Sequence, residues 1–418
     1  MERMELGSYL LSNEKSSFAI EDGAYSKLIT GGLIQNSFTS EQNTHMSNNN
    51  IKINSYKQCS ATPSTISDHL SSLCDKTFKG ADFQALNRTL PQNPDKILDA
   101  PELLNDYYLN LLDWGASNVL AVCLGQSVYL WNAGNSEIKQ LSSTTEADNY
   151  VSSVNWSQCS NYLAVGLSNH TIQIWDPERS QLIRTLKGHE ERVSSLSWNG
   201  CLLSSGSRDT NIINHDVRMP FHIINKYTTH EGEVCGLKWS RDGSQLASGA
   251  NDNALMIWDL GYNDPRHVLR EHTAAVKALA WCPWQKGLLA TGGGTSDKSM
   301  KFWNTETGTL IQSVNTNTQV CSLVWNKYDK EIASSHGFST LTNEASKCSI
   351  RLWKYPNMTQ FGEIAAHDDR VLHLALSPEG ETVVSAGADE KLCFWKLFEN
   401  PVAQKKTVHR KAFMNDLR

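Results

Sequence analysis

Between His272 and Asn304 the chain reads HTAAVKALAWCPWQKGLLATGGGTSDKSMKFWN. Short apolar runs of strand length, Val-Lys-Ala-Leu-Ala-Trp and Leu-Leu-Ala-Thr, alternate with turn clusters rich in Gly, Pro, Ser and Asp, and the stretch closes on Phe302-Trp303-Asn304. The same order recurs along the chain at a period of roughly 40 to 50 residues. Its closing strands are Leu130-Trp131-Asn132, Ile174-Trp175-Asp176, Asn214-His215-Asp216, Ile257-Trp258-Asp259, Phe302-Trp303-Asn304, Leu352-Trp353-Lys354 and Phe394-Trp395-Lys396, seven in all. An earlier strand in each unit ends at Trp114, Trp156, Trp198, Trp239, Trp281, Trp325 or, in the last unit, Leu376. Twelve of the thirteen tryptophans are thereby explained, and Trp284 alone stands outside the repeat.

This is the WD-repeat signature, and it predicts an all-β, seven-bladed propeller. A single four-stranded blade cannot cover both of its apolar faces, so blades stack radially around an axis. Within a blade a His, a Ser or Thr, a turn Asp and the closing Trp are expected to form a buried hydrogen-bonded set. The candidates are His230, Ser248, Asp252 and Trp258; His272, Thr291, Asp297 and Trp303; and His367, Ser385, Asp389 and Trp395. Their recurrence in blade after blade argues for a structural role, because an active site would be made once. The last unit holds only three strands, so a fourth must come from elsewhere. Lys96-Ile97-Leu98-Asp99-Ala100-Pro101 is the natural donor, which sets Asp99 beside blade seven.

The chain has 418 residues, 39% apolar and 20% charged, with a formal net charge of −6. That balance argues against a general nucleic-acid binder and against a polybasic membrane anchor. No apolar run of 18 residues exists, and the first residues lack the pattern of a secretory signal. Ten cysteines are scattered singly, without metal-ligand spacing, as befits buried apolar side chains in a reducing compartment; cytoplasm and nucleus are expected. Residues 1–95 are rich in Ser, Asn, Thr and Gln and read as a mostly disordered arm, followed by a propeller over 96–398 and a tail over 399–418. Within the arm, Met4 to Leu11 could form a short docking helix, and Thr62-Pro63 makes Thr62 a candidate phosphosite for a proline-directed kinase. Gly292-Gly293-Gly294-Thr295 leads into a strand, not a helix N-terminus, so it is no phosphate cradle. Neither a P-loop nor a Gly-x-Ser-x-Gly elbow occurs, and no cofactor, metal or enzymatic activity is expected.

Several stretches are more specific than the repeat itself. They include Leu98-Asp99-Ala100-Pro101-Glu102, Asn105-Asp106-Tyr107-Tyr108-Leu109-Asn110-Leu111-Leu112-Asp113-Trp114, His215-Asp216-Val217-Arg218, Gly249-Ala250-Asn251-Asp252-Asn253 and Ala280-Trp281-Cys282-Pro283-Trp284-Gln285. Together they resemble the Fizzy family, the WD-repeat coactivators of the anaphase-promoting complex, and lean toward its mitotic branch. The resemblance implies a substrate receptor for a ubiquitin ligase, with ligase subunits, degron-bearing substrates and spindle-checkpoint proteins as partners. It implies a pocket for the KEN box (Lys-Glu-Asn) made of Asn251, Asn253, Thr295, Gln319 and Arg370. It also implies a destruction-box pocket made of Leu98, Asp99 and Glu390. Amides and a guanidinium suit a short polar peptide, and carboxylates suit the leading Arg of the destruction box.

Docking onto the ligase is implied to use a C box, Asp-Arg-Tyr/Phe-Ile-Pro, and a C-terminal Ile-Arg. The terminal Leu417-Arg418 can serve as the second, whereas no C box is found in the chain. Met4 to Ser12 resembles the stretch that follows a C box, Arg88-Thr89-Leu90-Pro91 a second Arg-x-Ile-Pro, and Lys27-Leu28-Ile29-Thr30 a reduced helper motif. Two readings follow: a coactivator shortened at its N-terminus, or a scaffold or pseudo-coactivator that binds degron-like peptides without activating the ligase.

Overall fold

Strands that are apolar on both faces must be covered on both faces, and the inner strands of this chain are of that kind. Val276–Trp281 is buried along nearly its whole length, as are Leu288–Gly293 and Ser299–Asn304, whereas the outermost strand of the same blade, Thr309–Asn315, is largely exposed. The computed structural model describes residues 88–144, 148–339 and 348–400. It folds them into seven antiparallel four-stranded sheets, the seven blades of a propeller. The candidate docking helix, Thr62, Leu417 and Arg418 lie outside the described residues.

Six blades take their strands in sequence order, beginning with Leu112–Trp114. The seventh does not. Lys96–Asp99 lies antiparallel to Lys391–Lys396 in the register Lys96↔Phe394, Ile97↔Cys393, Leu98↔Leu392 and Asp99↔Lys391. The first strand of the chain thus completes the last blade, and the ring has no open edge there.

Two sets of tryptophans hold this architecture in different directions. The closing tryptophans bond within their own blade: Trp258 Nε1 donates to Ser248 Oγ at 2.8 Å, Trp303 to Thr291 Oγ1 at 2.9 Å and Trp395 to Ser385 Oγ at 3.0 Å. The same hydroxyls meet His230, His272 and His367, whose other ring nitrogens face Asp252, Asp297 and Asp389. The inner-strand tryptophans bond between blades: Trp198 Nε1 donates to the Asn155 carbonyl, Trp281 to Lys238 and Trp325 to Ala280, all within 3.1 Å. These six indole N–H groups are thereby satisfied, whereas Trp156 Nε1 is buried without a partner, an arrangement that costs about 1–3 kcal/mol. The glycine run of blade five answers to packing: a Cβ on Gly293 would collide with the Asp297 carboxylate and one on Gly292 with Val320.

Blade three departs from the rule. His215 stands where the closing Trp belongs, and its Nε2 meets Ser205 Oγ at 2.9 Å, beside His189 Nε2 at 2.8 Å from the same hydroxyl. The other face of the His215 ring contacts His222, Nδ1 to Nδ1, at 2.9 Å. Two nitrogens can share one proton, so this pair requires that at least one ring be neutral. Burial lowers the pKa of both rings, helped by the neighbouring positive groups, and brings His222 to about 4. Burial alone would raise the Asp209 carboxyl, but its bonds from His189 and two backbone N–H groups outweigh that and hold it at about 2.

An unfolded His titrates near about 6.5, above its folded value, so the unfolded chain takes up protons first and stability falls as pH drops from about 6.5 toward 4. Asp209, with a lowered folded pKa, contributes in a separate window and loses its effect only below about 3.8. We expect the urea midpoint of the protein to fall between pH 6.5 and 4.5, and to fall less steeply in His222→Asn. Parallel pH curves for the two proteins would count against the role given to this pair.

Candidate functional site

Antiparallel blades bring the start of every inner strand, the second-to-third-strand turn and the end of every outer strand to one mouth of the ring. After Asp99 the chain turns, with the Ala100 N–H donating to the Glu390 carbonyl at 2.7 Å, and then crosses this mouth. Asn105 takes two bonds from the Arg370 guanidinium of blade seven: Nε donates to its side-chain oxygen, and Nη2 to its carbonyl at 2.7 Å. Asp106 pairs with Arg192 of blade three at 2.7 Å, and Arg192 is also held in a fork by Glu233. The buried Tyr107 hydroxyl donates to the Val320 carbonyl of blade six at 3.2 Å, and burial pushes its phenol pKa up. Tyr108 OH donates to Asn251 Oδ1 of blade four at 2.9 Å. Asn110 Nδ2 donates to the carbonyls of Ser194 and Cys235, and its backbone bridges to Ser153 of blade two. One short segment therefore ties blades two, three, four, six and seven across the axis.

The residues that the resemblance assigned to KEN-box binding gather around this crossing. Asn251 is exposed in the turn of blade four and held by Tyr108; Asn253 follows in the same turn with a positive φ of 64°. Such a backbone is tolerated well by Asn, which explains the residue type without any ligand. Thr295 is exposed on the equivalent turn of blade five. Gln319 and Arg370 flank Gly337, where a Cβ would lie 2.9 Å from Gln319 Oε1 and 3.1 Å from Arg370 Cβ. Gln319 is only 4% exposed, and its Oε1 has no hydrogen-bond partner. A buried acceptor left open is costly, and Gln319 is the one residue of this set that carries such an atom. Phe338, 51% exposed, lies under the Arg370 guanidinium with 4.8 Å from Cζ to the ring centroid, so the cation keeps an aromatic floor.

The residues assigned to the destruction box meet on the rim of blade seven. Asp99 and Glu390 are both exposed, and Leu98 is half-buried against the core of blade one. Glu390 Oε1 accepts the Glu102 N–H at 3.3 Å, which adds a third exposed carboxylate to the rim. Lys391 is drawn away from Asp99 by Asp368, at 2.9 Å, and by Asp389. The result is a negative edge next to an apolar step. Among the described residues no group of three His, Cys, Asp or Glu side chains is placed to hold a metal ion.

The CDC20/Fizzy WD40 domain matches residues 98–395 of this chain. The chain belongs to the CDC20/Fizzy family. Among its relatives, the "Anaphase-promoting complex subunit cdc20" of Dictyostelium discoideum is 51% identical over 327 residues, which is 77% of this chain and 64% of that protein. "Cell division cycle 20.1, cofactor of APC complex" of Arabidopsis thaliana is 48% identical, over 77% of this chain and 70% of that protein. A chain of the "Crystal Structure of Mitotic Checkpoint Complex" superposes with a TM-score of 0.71 and 47% identity, over 74% of this chain and 95% of that one. The CDC20/Fizzy propeller is thus present from the donor strand to the closing tryptophan of blade seven, while this chain spans just under two thirds of its Dictyostelium relative.

The crossing segment contributes Asn105, Asp106 and Tyr108 to the site, and reading the repeats did not single them out. They sit before the first repeat and share no period with it; the family-like run Asn105–Asn110 was the only signal. Arg370 depends on Asn105 for two of its acceptors. We expect Asn105→Ala to lower stability by about 1–3 kcal/mol, because a nearly buried guanidinium is left under-satisfied. Chemical denaturation read by tryptophan fluorescence measures this, and an unchanged midpoint would mean that Arg370 finds other acceptors.

Proposed function

We propose that this protein is a substrate-recognition coactivator of the anaphase-promoting complex, working in cytoplasm and nucleus. It would bind KEN-box and destruction-box degrons on the mouth crossed by residues 103–110 and bring their owners to the ligase for ubiquitination. The observation that carries the reading is the presence of two chemically distinct patches: amide and guanidinium groups gathered around the crossing segment, and a carboxylate rim with an apolar step at blade seven. Membership of the CDC20/Fizzy family and the names of its relatives support it. The likeness to a chain of a mitotic checkpoint complex supports checkpoint proteins as further partners.

The chemistry of each patch fits its peptide. The Glu and Asn of a KEN box need donors and acceptors, which Arg370, Gln319, Asn251, Asn253 and Thr295 supply. Its Lys needs a carboxylate, and Asp106, whose side chain is 30% exposed at the same mouth, would share its oxygens between that Lys and Arg192. The Arg of a destruction box would meet Asp99 and Glu390, and its Leu the apolar surface near Leu98. Each exposed Arg–carboxylate contact contributes about 1 kcal/mol or less, so single motifs bind weakly and strength comes from linking two motifs on one substrate. The recurring His and Asp sets serve the blades, and the protein contributes binding while the ligase supplies the chemistry.

Fluorescence-polarisation titrations with labelled peptides test the assignment. Asp99→Ala combined with Glu390→Ala should abolish destruction-box binding and leave KEN-box binding intact; Arg370→Ala should do the reverse. Reconstituted ubiquitination of a destruction-box substrate, with this chain as the only coactivator, tests the wider role. Stimulation supports it, whereas degron binding without stimulation would make the protein a sequestering pseudo-coactivator.

A further inference from the structure

Beneath the crossing segment the propeller axis holds a cavity of about 400 Å³, reaching from Lys277 and His373 down to Arg241, Pro283 and Lys327 at the opposite mouth. We propose that this channel is a binding site for a small phosphate-bearing anion, held by Lys277 and His373 from above and by Lys238 below. The residues that line it include none of those assigned to either degron patch.

The charges of the lining decide the class of ligand. Lys238, Arg241, Lys277 and Lys327 face the channel against a single carboxylate, Asp113. Asp113 is already satisfied, accepting Asn155 Nδ2 at 2.9 Å and the Trp156 N–H at 2.7 Å. Arg241 and Lys327 reach neighbouring blades and bond to the carbonyls of Pro283 and Pro378, which brace the lower mouth. A cavity of this size falls in the range of small-molecule sites, and its polar lining favours charge over a lipid or a drug-like apolar ligand.

The upper end supplies the decisive geometry. Lys277, 5% exposed, extends from blade five to blade seven, where its Nζ lies 3.3 Å from the Leu372 carbonyl and 3.5 Å from His373 Nδ1. It also lies 5.5 Å from the centroid of the Tyr107 ring. Both hydrogen bonds are long, both partners are neutral, and no carboxylate pairs with this cation among the described residues. Burial lowers its pKa to about 8, which leaves the ammonium form predominant at neutral pH. A buried ammonium without an anion is a costly arrangement.

His373 compounds the need. An ammonium can only donate, so Nδ1 of His373 is the acceptor, and its proton therefore sits on Nε2. Nε2 is buried and has no hydrogen-bond partner. A buried ammonium held only by two long bonds to neutral acceptors thus stands beside an unpartnered N–H at the head of a basic channel. A phosphate oxyanion offers several acceptor oxygens and the compensating charge in one group.

Calorimetric titration of the full chain with sodium tripolyphosphate, at ionic strength held constant with chloride, tests the proposal. A saturable one-site isotherm is expected. Binding should weaken by at least about tenfold in Lys277→Met and in Lys238→Gln, each of which removes a charged donor. Lys238 is exposed, so its variant keeps the fold even if the buried replacement does not. Lys226→Gln, on the outer strand of blade three, should bind like the parent. Nitrogen-15 NMR of His373 should report a shift of the Nε2 resonance on titration. Absence of saturable heat at millimolar tripolyphosphate, or equal affinity in Lys238→Gln and the parent, would overturn the proposal.

Discussion

Ring closure by Lys96–Asp99 is the constraint on which the rest of this molecule depends. Blade seven contributes three strands of its own, and without a fourth its Lys391–Lys396 strand would present a row of unpaired backbone groups. The donor supplies that row in full register. It also sets Asp99 opposite Lys391 and therefore next to Glu390, two carboxylates from opposite ends of the propeller sequence. And because Ala100 is pinned to Glu390, the chain leaves the blade at the mouth of the ring and has one short route to blade one: across the axis. Closure, the acidic rim and the crossing segment are one structural decision.

The closed ring is stable because its two sets of tryptophans act in perpendicular directions. Trp258, Trp303 and Trp395 tie the third strand of a blade to its second; Trp198, Trp281 and Trp325 tie a blade to the one before it. A repeat that lost one set would keep its blades and lose their alignment, or the reverse. The exceptions show how narrow the requirement is. In blade three His215 replaces the indole as the group that meets Ser205, and His222 packs against its ring. In blade six His336, within a strand and not before it, meets Ser334 at 2.7 Å while Trp353 donates to the same hydroxyl.

Much of this was legible before any coordinates. Tryptophans spaced by one blade, most of the closing ones followed by Asp or Asn, specify strand ends, and a missing outer strand in the last unit points to a donor before the first. The acidic rim was legible for the same reason, since closure alone brings Asp99 to blade seven. What periodicity could not convey is whatever occurs once. Asn105, Tyr107 and Tyr108 belong to no repeat, and their partners Arg370, Val320 and Asn251 come from three different blades. Likewise, Lys277 reads in sequence as one polar residue within a buried strand. Only the closed ring shows that it reaches His373 two blades away, because the distance across a channel is set by the number of blades and not by any local pattern.

Closure has a price in time. Among the described strands the donor is the first to be synthesised and its partner the last. At roughly 5–20 residues per second, some 300 residues separate their appearance by about 15 to 60 s. Throughout that interval the nascent chain carries Lys96–Asp99 without its partner, and blade one without its neighbour on that side. An apolar, edge-exposed intermediate of such duration invites pairing with other chains. The charged residues at both ends of the donor, Lys96 and Asp99, flank its two apolar ones and blunt that hazard, so the strand that completes the ring is also written to wait safely for it.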